Sequence, residues 1–235
     1  MLDFTGQTII VTGAAGNLGA AIADTLARLG ASLALADMRE EPLQQLAARI
    51  AGDPLVIAGA DVRTRDGATR IVQDCREQFG RVDGLANTVG TFKTTNVIDG
   101  AAEDWAFLME LNALSALRLS EAVLPDMVAQ GYGRIVHVAA GAGAKSFGGA
   151  GVYAASKAAV MRITEAISEE NKANGVNANC IMPGTIDTPQ NRASMPNADF
   201  STWVQTSQIA PVVAFLLSRE AGAVTGASLP ITGRQ

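Results

Sequence analysis

A tyrosine and a lysine four positions apart are the side chains in this sequence best suited to proton transfer. Tyr153 and Lys157 begin a run with helical periodicity, which predicts that they lie one turn apart on one helix face. A free phenol has a pKa of about 10, too high for ready proton exchange at neutral pH, and a nearby ammonium group lowers that pKa. The pair therefore indicates a proton donor for carbonyl reduction or a base for alcohol oxidation. The other tyrosine, Tyr132, has Val136 at the same offset.

A glycine-rich turn at residues 12–19, with the sequence TGAAGNLG, lies between a predicted strand and a predicted helix. Glycines let a backbone turn sharply and approach a pyrophosphate, and a helix N-terminus supplies amide donors and a positive dipole. Gly19 also allows close packing of the helix on the strand. Tight turns need glycine for steric reasons alone, but this position after the first strand favours a dinucleotide site.

Asp37 indicates which dinucleotide the turn would bind. It ends the second predicted strand, 18 residues after Gly19. A carboxylate there can accept hydrogen bonds from both ribose hydroxyls and would repel a 2′-phosphate. Arg39, two residues later, could help to hold the phosphate of NADP. Because Asp37 occupies the discriminating position, the sequence predicts NAD over NADP.

Short apolar runs alternate along the chain with segments of helical periodicity. The predicted strands are residues 8–12, 32–36, 55–58, 84–89, 134–139, 177–182 and 227–232. Apolar residues at helical spacing between them include Leu18, Ile22, Leu26 and Leu29, then Ile71, Cys75 and Phe79, then Val160, Ile163 and Ile167. This alternation predicts an α/β fold of the Rossmann type, a doubly wound parallel sheet of seven strands with helices on both faces. Pro230 cannot donate a backbone hydrogen bond, which predicts an edge position for the last strand.

Composition excludes several classes of protein. The 235 residues are 48% hydrophobic and 17% charged, typical of a globular chain, and are interpreted as one domain over 1–235. The net charge of −5 and the lack of a basic patch argue against nucleic acid as a partner. The sequence contains no uninterrupted apolar run of about 18 residues, so no membrane span is predicted. The first residues lack the basic region of a signal peptide.

The two cysteines, Cys75 and Cys180, have neither metal-ligand spacing nor the density of a disulfide framework. They are interpreted as small buried side chains, and no metal site is predicted. Thiols of this kind fit a reducing compartment, so the expected location is the cytoplasm.

His137, the single histidine, lies within a predicted strand and is interpreted as a packed residue rather than a catalyst.

These residues, in this order and spacing, resemble the short-chain dehydrogenase/reductase family over essentially the whole chain. The matching features are the turn at 13–19, Asp37, residues 61–62, residues 87–90, Asn112, residues 153–157 and residues 183–188. The resemblance implies catalytic roles for Asn112, Tyr153 and Lys157, with Asn112 interrupting a long helix and holding a water in a proton relay to Lys157. The positions that it assigns to cofactor binding are Gly13, Gly16, Asn17, Leu18, Gly19, Asp37, Asp61, Val62, Asn87, Gly90, Tyr153, Lys157, Pro183, Gly184, Ile186 and Thr188. It also implies a homodimer or homotetramer, which the small residues Ala154, Ala155, Ala158 and Ala159 would allow through close helix contact.

The sequence departs from the family pattern at three places. Asn17 stands where the family turn usually has glycine, although Gly16 restores a related spacing. The family's Asn-Asn-Ala-Gly is Asn-Thr-Val-Gly at residues 87–90. The catalytic serine of the family lies 13 residues before the tyrosine, where this chain has Ala140. Ser146, in the glycine-rich loop, is a candidate to replace it.

Two explanations for Ala140 remain open: an impaired enzyme, or a substrate that needs no hydroxyl to orient its carbonyl. Residues 185–203 are similar to the same stretch of dihydropteridine reductases, family relatives that lack the serine and reduce a quinonoid ring with NADH. Residues 189–208 are expected to cover the substrate. Side chains that could form an apolar pocket there are Phe92, Phe147, Met195 and Trp203.

The expected function is an NAD(H)-linked oxidoreductase for a small carbonyl, alcohol or quinonoid compound. A redox sensor that binds dinucleotide without catalysis is an alternative suggested by Ala140. Retention of Tyr153, Lys157 and Asn112 argues against it, because binding alone needs no phenol. An epimerase or dehydratase would share the pair but usually has a longer substrate domain.

Overall fold

In the computed structural model, which describes residues 2–234, a parallel sheet of seven strands forms the centre of the molecule. The strands are β1 (Thr8–Thr12), β2 (Ser32–Asp37), β3 (Leu55–Ala58), β4 (Gly84–Asn87), β5 (Gly133–Val138), β6 (Val176–Pro183) and β7 (Ser228–Ile231). Their order across the sheet is β3-β2-β1-β4-β5-β6-β7, and every neighbouring pair is parallel. The Rossmann-type doubly wound fold predicted from the sequence is confirmed.

Helices connect the strands and cover both faces of the sheet. They are α1 (Asn17–Arg28), α2 (Glu40–Arg49), α3 (Arg65–Phe79), α4 (Trp105–Leu108), α5 (Ser115–Ala129), α6 (Gly141–Ala144), α7 (Gly151–Asn171), α8 (Pro189–Ser194) and α9 (Thr206–Leu217). A π-helical segment, Met109–Leu114, joins α4 to α5. Short 3₁₀ turns occupy Val97–Asp99, Ala101–Asp104, Lys172–Asn174, Phe200–Thr202 and Arg219–Ala221. No helix within residues 2–234 is both long enough and apolar enough to cross a bilayer.

The period of two in a strand places successive side chains of β1 in different cores. Ile9 and Val11 pack in the cluster that contains Leu26 of α1, whereas Ile10 packs in the cluster that contains Ile71 of α3. All of these side chains are fully buried. A strand that is apolar on both faces therefore needs helices on both sides of the sheet, as the doubly wound fold provides.

The neighbouring strands β1 and β4 mark the point where the strand order reverses. From β1 the chain continues towards β2 and β3 on one side, and from β4 it continues towards β5, β6 and β7 on the other. A crevice opens beyond the carboxyl ends of the strands at such a point, and ligands of doubly wound folds bind there.

The strand bounds differ from the predicted ones by two residues at most. The larger difference is in β4, which ends at Asn87 rather than at residue 89. Beyond Asn87 the backbone turns away, because Val89 N–H donates to the Asn87 side chain instead of to a strand neighbour. Pro230 pairs with Met182 in β7, the outermost strand, so its predicted edge position is confirmed.

Candidate active site

The turn between β1 and α1 requires glycine at two positions. Gly13 has a φ of +68°, and a Cβ on it would lie 2.7 Å from Thr88 Oγ1. A Cβ on Gly19 would overlap the carbonyl oxygen of Gly13. A larger residue at position 13 would therefore collide with the segment after β4, and one at position 19 would push α1 away from the turn. The close approach aims the N-terminus of α1, a 12-residue helix, at the crevice, where its amides can bind phosphate.

The start of α1 also contacts the segment that was predicted to cover the substrate. Gly16 is the N-cap residue, and Asn17 and Leu18 begin the helix. Asn17 Nδ2 donates to Gln190 Oε1 of α8 at 2.8 Å. The side chain that replaces the expected glycine thus connects the glycine turn to α8.

Asp37 lies at the end of β2, beside the turn. Its Oδ2 accepts a hydrogen bond from Ala15 N–H at 3.1 Å, and its Oδ1 accepts one from Arg39 Nε at 3.2 Å. The Asp37 side chain is 8% exposed, whereas that of Arg39 is 58% exposed. The carboxylate is therefore fixed by the turn, and the guanidinium lies over it in contact with solvent.

A cavity of about 370 Å³ opens beside Asp37. The predicted cofactor residues among its walls are Gly13, Gly16, Asp37, Asp61, Val62 and Gly90. Asp61 pairs with Arg63 at 2.8 Å, and the hydrogen bond from that guanidinium holds the pKa of the Asp61 carboxyl below its usual range. The cavity therefore joins the glycine turn to both carboxylates and reaches Leu111, next to Asn112.

Gly90 brings the wall of this cavity against the catalytic candidates. A Cβ at this position would lie 2.7 Å from Asn112 Oδ1 and 3.0 Å from Lys157 Nζ. Asn87, three residues earlier, is buried, and its Oδ1 accepts hydrogen bonds from Thr12 Oγ1 and Val89 N–H. The end of β4 is thus held firmly while it approaches the reactive groups.

Asn112 lies in the π-helical segment, which agrees with the expected interruption of a long helix. Its side chain and the backbone of Thr91 exchange two hydrogen bonds, from Thr91 N–H to Oδ1 at 2.8 Å and from Nδ2 to Thr91 O at 3.1 Å. Asn112 Nδ2 also donates to Ser156 Oγ at 2.9 Å, and Ser156 donates to Tyr153 O at 2.7 Å. These contacts fix Asn112 beside the helix that carries Tyr153 and Lys157.

Tyr153 and Lys157 lie one turn apart on α7, as predicted. Lys157 is 4% exposed, and its Nζ donates to Val138 O at 2.8 Å and lies 6.0 Å from the Tyr153 ring centroid. Burial lowers the pKa of Lys157 to about 8. Burial also raises the pKa of Tyr153 to about 12, opposite to the effect expected from the ammonium group. In the protein chain alone, desolvation therefore outweighs the attraction between phenolate and ammonium.

The mouth of the crevice beside Tyr153 is aromatic. The rings of Phe92 and Tyr153 meet edge to face, with centroids 4.9 Å apart, and Phe92 is 58% exposed. Phe147 and Met195, two other candidates for an apolar pocket, are exposed as well. Trp203 is buried against Phe200, so it packs within the segment at 189–208 instead of lining an open pocket.

The remaining predicted positions follow β6. Pro183 ends this strand, and Gly184 N–H donates to Ile231 O of β7 at 3.0 Å. Ile186 forms an isolated β-bridge with Val204, and the Thr188 hydroxyl caps α8 by accepting from Asn191 N–H. Residues 189–208, the segment predicted to cover the substrate, thus begin with a short capped helix.

Asp187 connects α8 to the start of α9. Its carboxylate accepts hydrogen bonds from Arg192 of α8 and from Gln205, the N-cap residue of α9. The same hydrogen bonds lower the pKa of Asp187 to about 2.

Comparison with known proteins assigns this arrangement to a family. A model of the short chain dehydrogenase family matches residues 7–199. The chain belongs to the short-chain dehydrogenase family. Enzymes of this family bind nicotinamide dinucleotides, and the protein is an oxidoreductase of that family.

Relatives cover nearly the whole chain. A 3-oxoacyl-(acyl-carrier-protein) reductase of Vibrio cholerae is 31% identical over 240 aligned positions, which cover 99% of this chain and 98% of the relative. An uncharacterised oxidoreductase of Staphylococcus saprophyticus is 33% identical over 192 positions, covering 80% and 82%. Among solved structures, levodione reductase has a TM-score of 0.91 at 31% identity, covering 98% and 97%. NAD⁺-bound xylitol dehydrogenase has a TM-score of 0.90 at 28% identity, covering 98% and 99%.

In this short-chain dehydrogenase, Ala140 lies two residues after the end of β5 and directly precedes α6. It is buried and extended, with φ −163° and ψ 157°. Ser146, the candidate replacement for the serine, is exposed and donates to the carbonyl oxygen of the adjacent Phe147 at 3.4 Å. Its hydroxyl thus has a partner within its own loop.

Sequence reasoning missed several residues that support the site of this dehydrogenase. Ser156 is not among the residues predicted for the site, yet it accepts a hydrogen bond from Asn112. Phe92 was named only for an apolar pocket, yet it contacts the ring of Tyr153. A hydroxyl three residues after the tyrosine was a usable signal for Ser156, whereas the pairing of Gln190 with Asn17, 173 residues apart, had none. Within residues 2–234, no group of three or more His, Cys, Asp or Glu side chains is arranged to hold a metal ion.

Proposed function

We propose that this protein is an NAD(H)-dependent oxidoreductase that transfers hydride to or from a small carbonyl, alcohol or quinonoid substrate. Tyr153 is its general acid or base, and Lys157 assists it. The supporting observation is the position of Gly90, which lines the dinucleotide cavity and closely approaches both Asn112 and Lys157. Gly90 thus supports a site in which the glycine turn and the proposed proton-transfer groups act on one bound dinucleotide.

NAD is proposed over NADP because of Asp37. Its carboxylate is fixed at the cavity by Ala15 N–H, where it would bind ribose hydroxyls and repel a 2′-phosphate. Arg39 is already engaged by that carboxylate, which reduces its capacity to bind phosphate. The residues that would hold the dinucleotide are the cofactor positions named from the sequence, and the bound nicotinamide would supply or accept the hydride.

The protein side of the chemistry is proton transfer. Tyr153, whose pKa is raised by burial, is protonated at neutral pH and holds the proton that a substrate oxygen would take up during reduction. Because a raised pKa disfavours that transfer, Tyr153 depends on a neighbouring cation. Lys157, with a pKa of about 8, is still largely cationic at neutral pH and favours the phenolate that results. Asn112 is held by Thr91 and Ser156 in the place where it would anchor the water of a relay to Lys157.

A second candidate, reduction of a quinonoid ring in the manner of dihydropteridine reductases, is favoured by the edge-to-face contact of Phe92 with Tyr153. A flat conjugated substrate can stack on exposed aromatic faces. Its charge spreads over a ring, so it has less need of the hydroxyl that Ala140 lacks. The similarity of residues 185–203 to dihydropteridine reductases supports the same reading.

We also propose a single domain over 1–235, with residues 189–208 covering the substrate, in a cytoplasmic homodimer or homotetramer. Ala155, Ala158 and Ala159 of α7 are half-buried, so a neighbouring helix could approach them closely, whereas Ala154 is buried within the chain. Sedimentation of the purified protein as a monomer would overturn the oligomer.

The test is consumption of NADH in the presence of a panel of ketones and quinonoid compounds. Tyr153→Phe is expected to lower turnover by about 100- to 10,000-fold while NADH still binds. The matched control is Tyr132→Phe, because Tyr132 lies beside Arg134 and Arg219 and donates to Gln7, outside the cleft. Equal turnover of both variants would remove the proton role of Tyr153. Tight NADH binding without turnover of any compound would favour the redox sensor.

A further inference from the structure

The buried His137 belongs to a row of polar side chains that crosses three strands. Thr12 of β1, Asn87 of β4 and His137 of β5 are paired in register, side by side near the carboxyl ends of their strands. All three are almost completely buried. Thr12 Oγ1 lies 2.8 Å from Asn87 Oδ1, and Asn87 Nδ2 lies 3.3 Å from His137 Nδ1. Burying a row of polar side chains in an apolar sheet lowers the stability of the fold unless each side chain has hydrogen-bond partners.

The row continues into α5. His137 Nε2 lies 3.1 Å from Ser120 Oγ, and Ser120 Oγ donates to Ala116 O at 2.8 Å. Ala116 follows Asn112 by four residues, one helical turn along the same helical run. One chain of hydrogen bonds therefore leads from the end of β1, next to Gly13, to the helix that carries Asn112.

We propose that His137 is a positioning residue that connects the floor of the dinucleotide cleft to the helix bearing Asn112, with a neutral imidazole protonated at Nε2. The inference rests on the proposed dinucleotide function. From the sequence alone, His137 is interpreted only as a packed residue.

The direction of each hydrogen bond assigns the tautomer. Val89 N–H can only donate, and it points at the same Asn87 oxygen that Thr12 contacts. The amide nitrogen of Asn87 must therefore face His137, and since it can only donate, Nδ1 must be unprotonated. The proton of the neutral ring is then on Nε2 and is donated to Ser120, whose own proton goes to Ala116 O.

The surroundings of His137 explain why the ring stays neutral. Lys157 of α7 is the charged neighbour whose electric field acts on the ring. Cys180 of β6 is the residue paired in register with His137. A second cation beside the buried Lys157 would be unfavourable in a site with little water. Burial, together with the charge of Lys157, lowers the pKa of His137 to about 4.

The consequence for the site follows from what Asn87 holds. Its side chain fixes Val89 N–H, and Gly90 comes next, in close approach to Asn112 and Lys157. Without an acceptor at Nδ1, the buried Asn87 amide nitrogen has no partner, which favours rotation of the side chain away from Val89 N–H. The segment at 88–90 would then lose its fixed distance from the dinucleotide.

Nitrogen NMR of ¹⁵N-histidine protein tests the assignment on the intact chain, because the sequence contains a single histidine. Nδ1 is expected to give an unprotonated signal and Nε2 a protonated one, unchanged between pH 8 and about pH 5. Addition of NADH is expected to shift the Nδ1 signal. A proton on Nδ1, or titration near the ordinary histidine pKa of about 6.5, would overturn the proposal.

Three variants separate positioning from packing. His137→Leu is expected to raise the NADH dissociation constant about tenfold, because it leaves Asn87 Nδ2 without an acceptor and Ser120 Oγ without the donor from Nε2. His137→Asn keeps an acceptor near the Nδ1 position and is expected to stay within about threefold of the parent. The control Cys180→Ala removes the buried neighbour on β6 and is expected to lower the melting temperature without changing NADH affinity.

The outcomes are distinguishable. A parent protein that binds neither NADH nor NADPH overturns the proposed function and this role with it. A parent that binds NADH, together with a leucine variant of equal affinity, overturns the positioning role alone. Equal losses of affinity in the leucine and asparagine variants would also overturn it. If the leucine variant does not fold, the asparagine variant and the NMR signals decide.

Discussion

The two ends of the cleft hold their charged groups in opposite ways. At the proposed adenosine end, Asp37 and Asp61 each pair with an arginine two residues later, and those arginine side chains are 58% and 42% exposed. At the reactive end, Lys157 is 4% exposed and rests on the carbonyl oxygen of Val138. Exposed ion pairs contribute little stability and rearrange at low cost, whereas a buried ammonium group must be satisfied. The two arginines of the first end can therefore adapt to a ligand, whereas Lys157 at the second end is preorganised.

The same contrast explains the direction of the pKa changes. At Asp61 the hydrogen bond from the Arg63 side chain dominates and lowers the pKa of the carboxyl. At Tyr153 and Lys157 burial dominates. It raises the pKa of the phenol and lowers the pKa of the ammonium group, which favours the neutral form of each side chain. Solvent access, rather than residue type, thus determines which effect wins.

Lys157→Met tests the reactive end with the largest expected effect. Turnover is expected to fall by about 100- to 1000-fold, because the cation that favours the phenolate is removed. The melting temperature is expected not to fall, because a buried charge is replaced by an apolar side chain of similar length. Steady-state kinetics and thermal unfolding measure both, with the exposed Lys172→Met as control. A loss of turnover below threefold would contradict the role of the ammonium group.

The pH profile sharpens the assignment. Lys157 carries its charge below a pKa of about 8, so turnover is expected to be constant near pH 7. Above pH 8 it is expected to decline up to about tenfold per pH unit as the ammonium loses its proton. The measurement is the rate of NADH oxidation at saturating substrate. If the same decline occurs in Lys157→Met, another group is responsible for it.

Asp37→Ala tests the adenosine end. The NADH dissociation constant is expected to rise about tenfold, because the hydrogen bonds to the ribose are lost. Affinity for NADPH is expected to increase, because the repulsion ends and Arg39 is released. Titration with both nucleotides gives the ratio, and Asp24→Ala in the exposed pair with Arg28 is the control. An unchanged ratio would contradict the predicted preference for NAD.

Arg63→Ala is expected to have the smallest effect. Its pair with Asp61 is partly exposed, so NADH affinity is expected to change less than threefold and the melting temperature hardly at all. Nucleotide titration and thermal unfolding provide the check. A loss as large as that of Asp37→Ala would show that the adenosine end is also preorganised, and the contrast between the two ends would be wrong.

Much of the fold could be predicted because its signals are local. The strands appear as short apolar runs, and right-handed crossovers between parallel strands place helices on both faces of the sheet. Positions such as Tyr153 and Lys157 were predictable from the helical repeat. The contacts that support them were not, because Ser156 and Asn112 are 44 positions apart and meet only after the π-helical segment packs against α7.

The amino-acid sequence was sufficient to determine where the chain turns, which residues alternate between the two cores, and which side chains can exchange protons. Steric limits at Gly13 and the periodicity of the strands act over a few neighbouring residues, so they can be read along the chain. The folded molecule decided the protonation preferences of Tyr153, Lys157 and His137. Those preferences depend on how much water remains around each group, and elements distant in sequence remove that water when they pack.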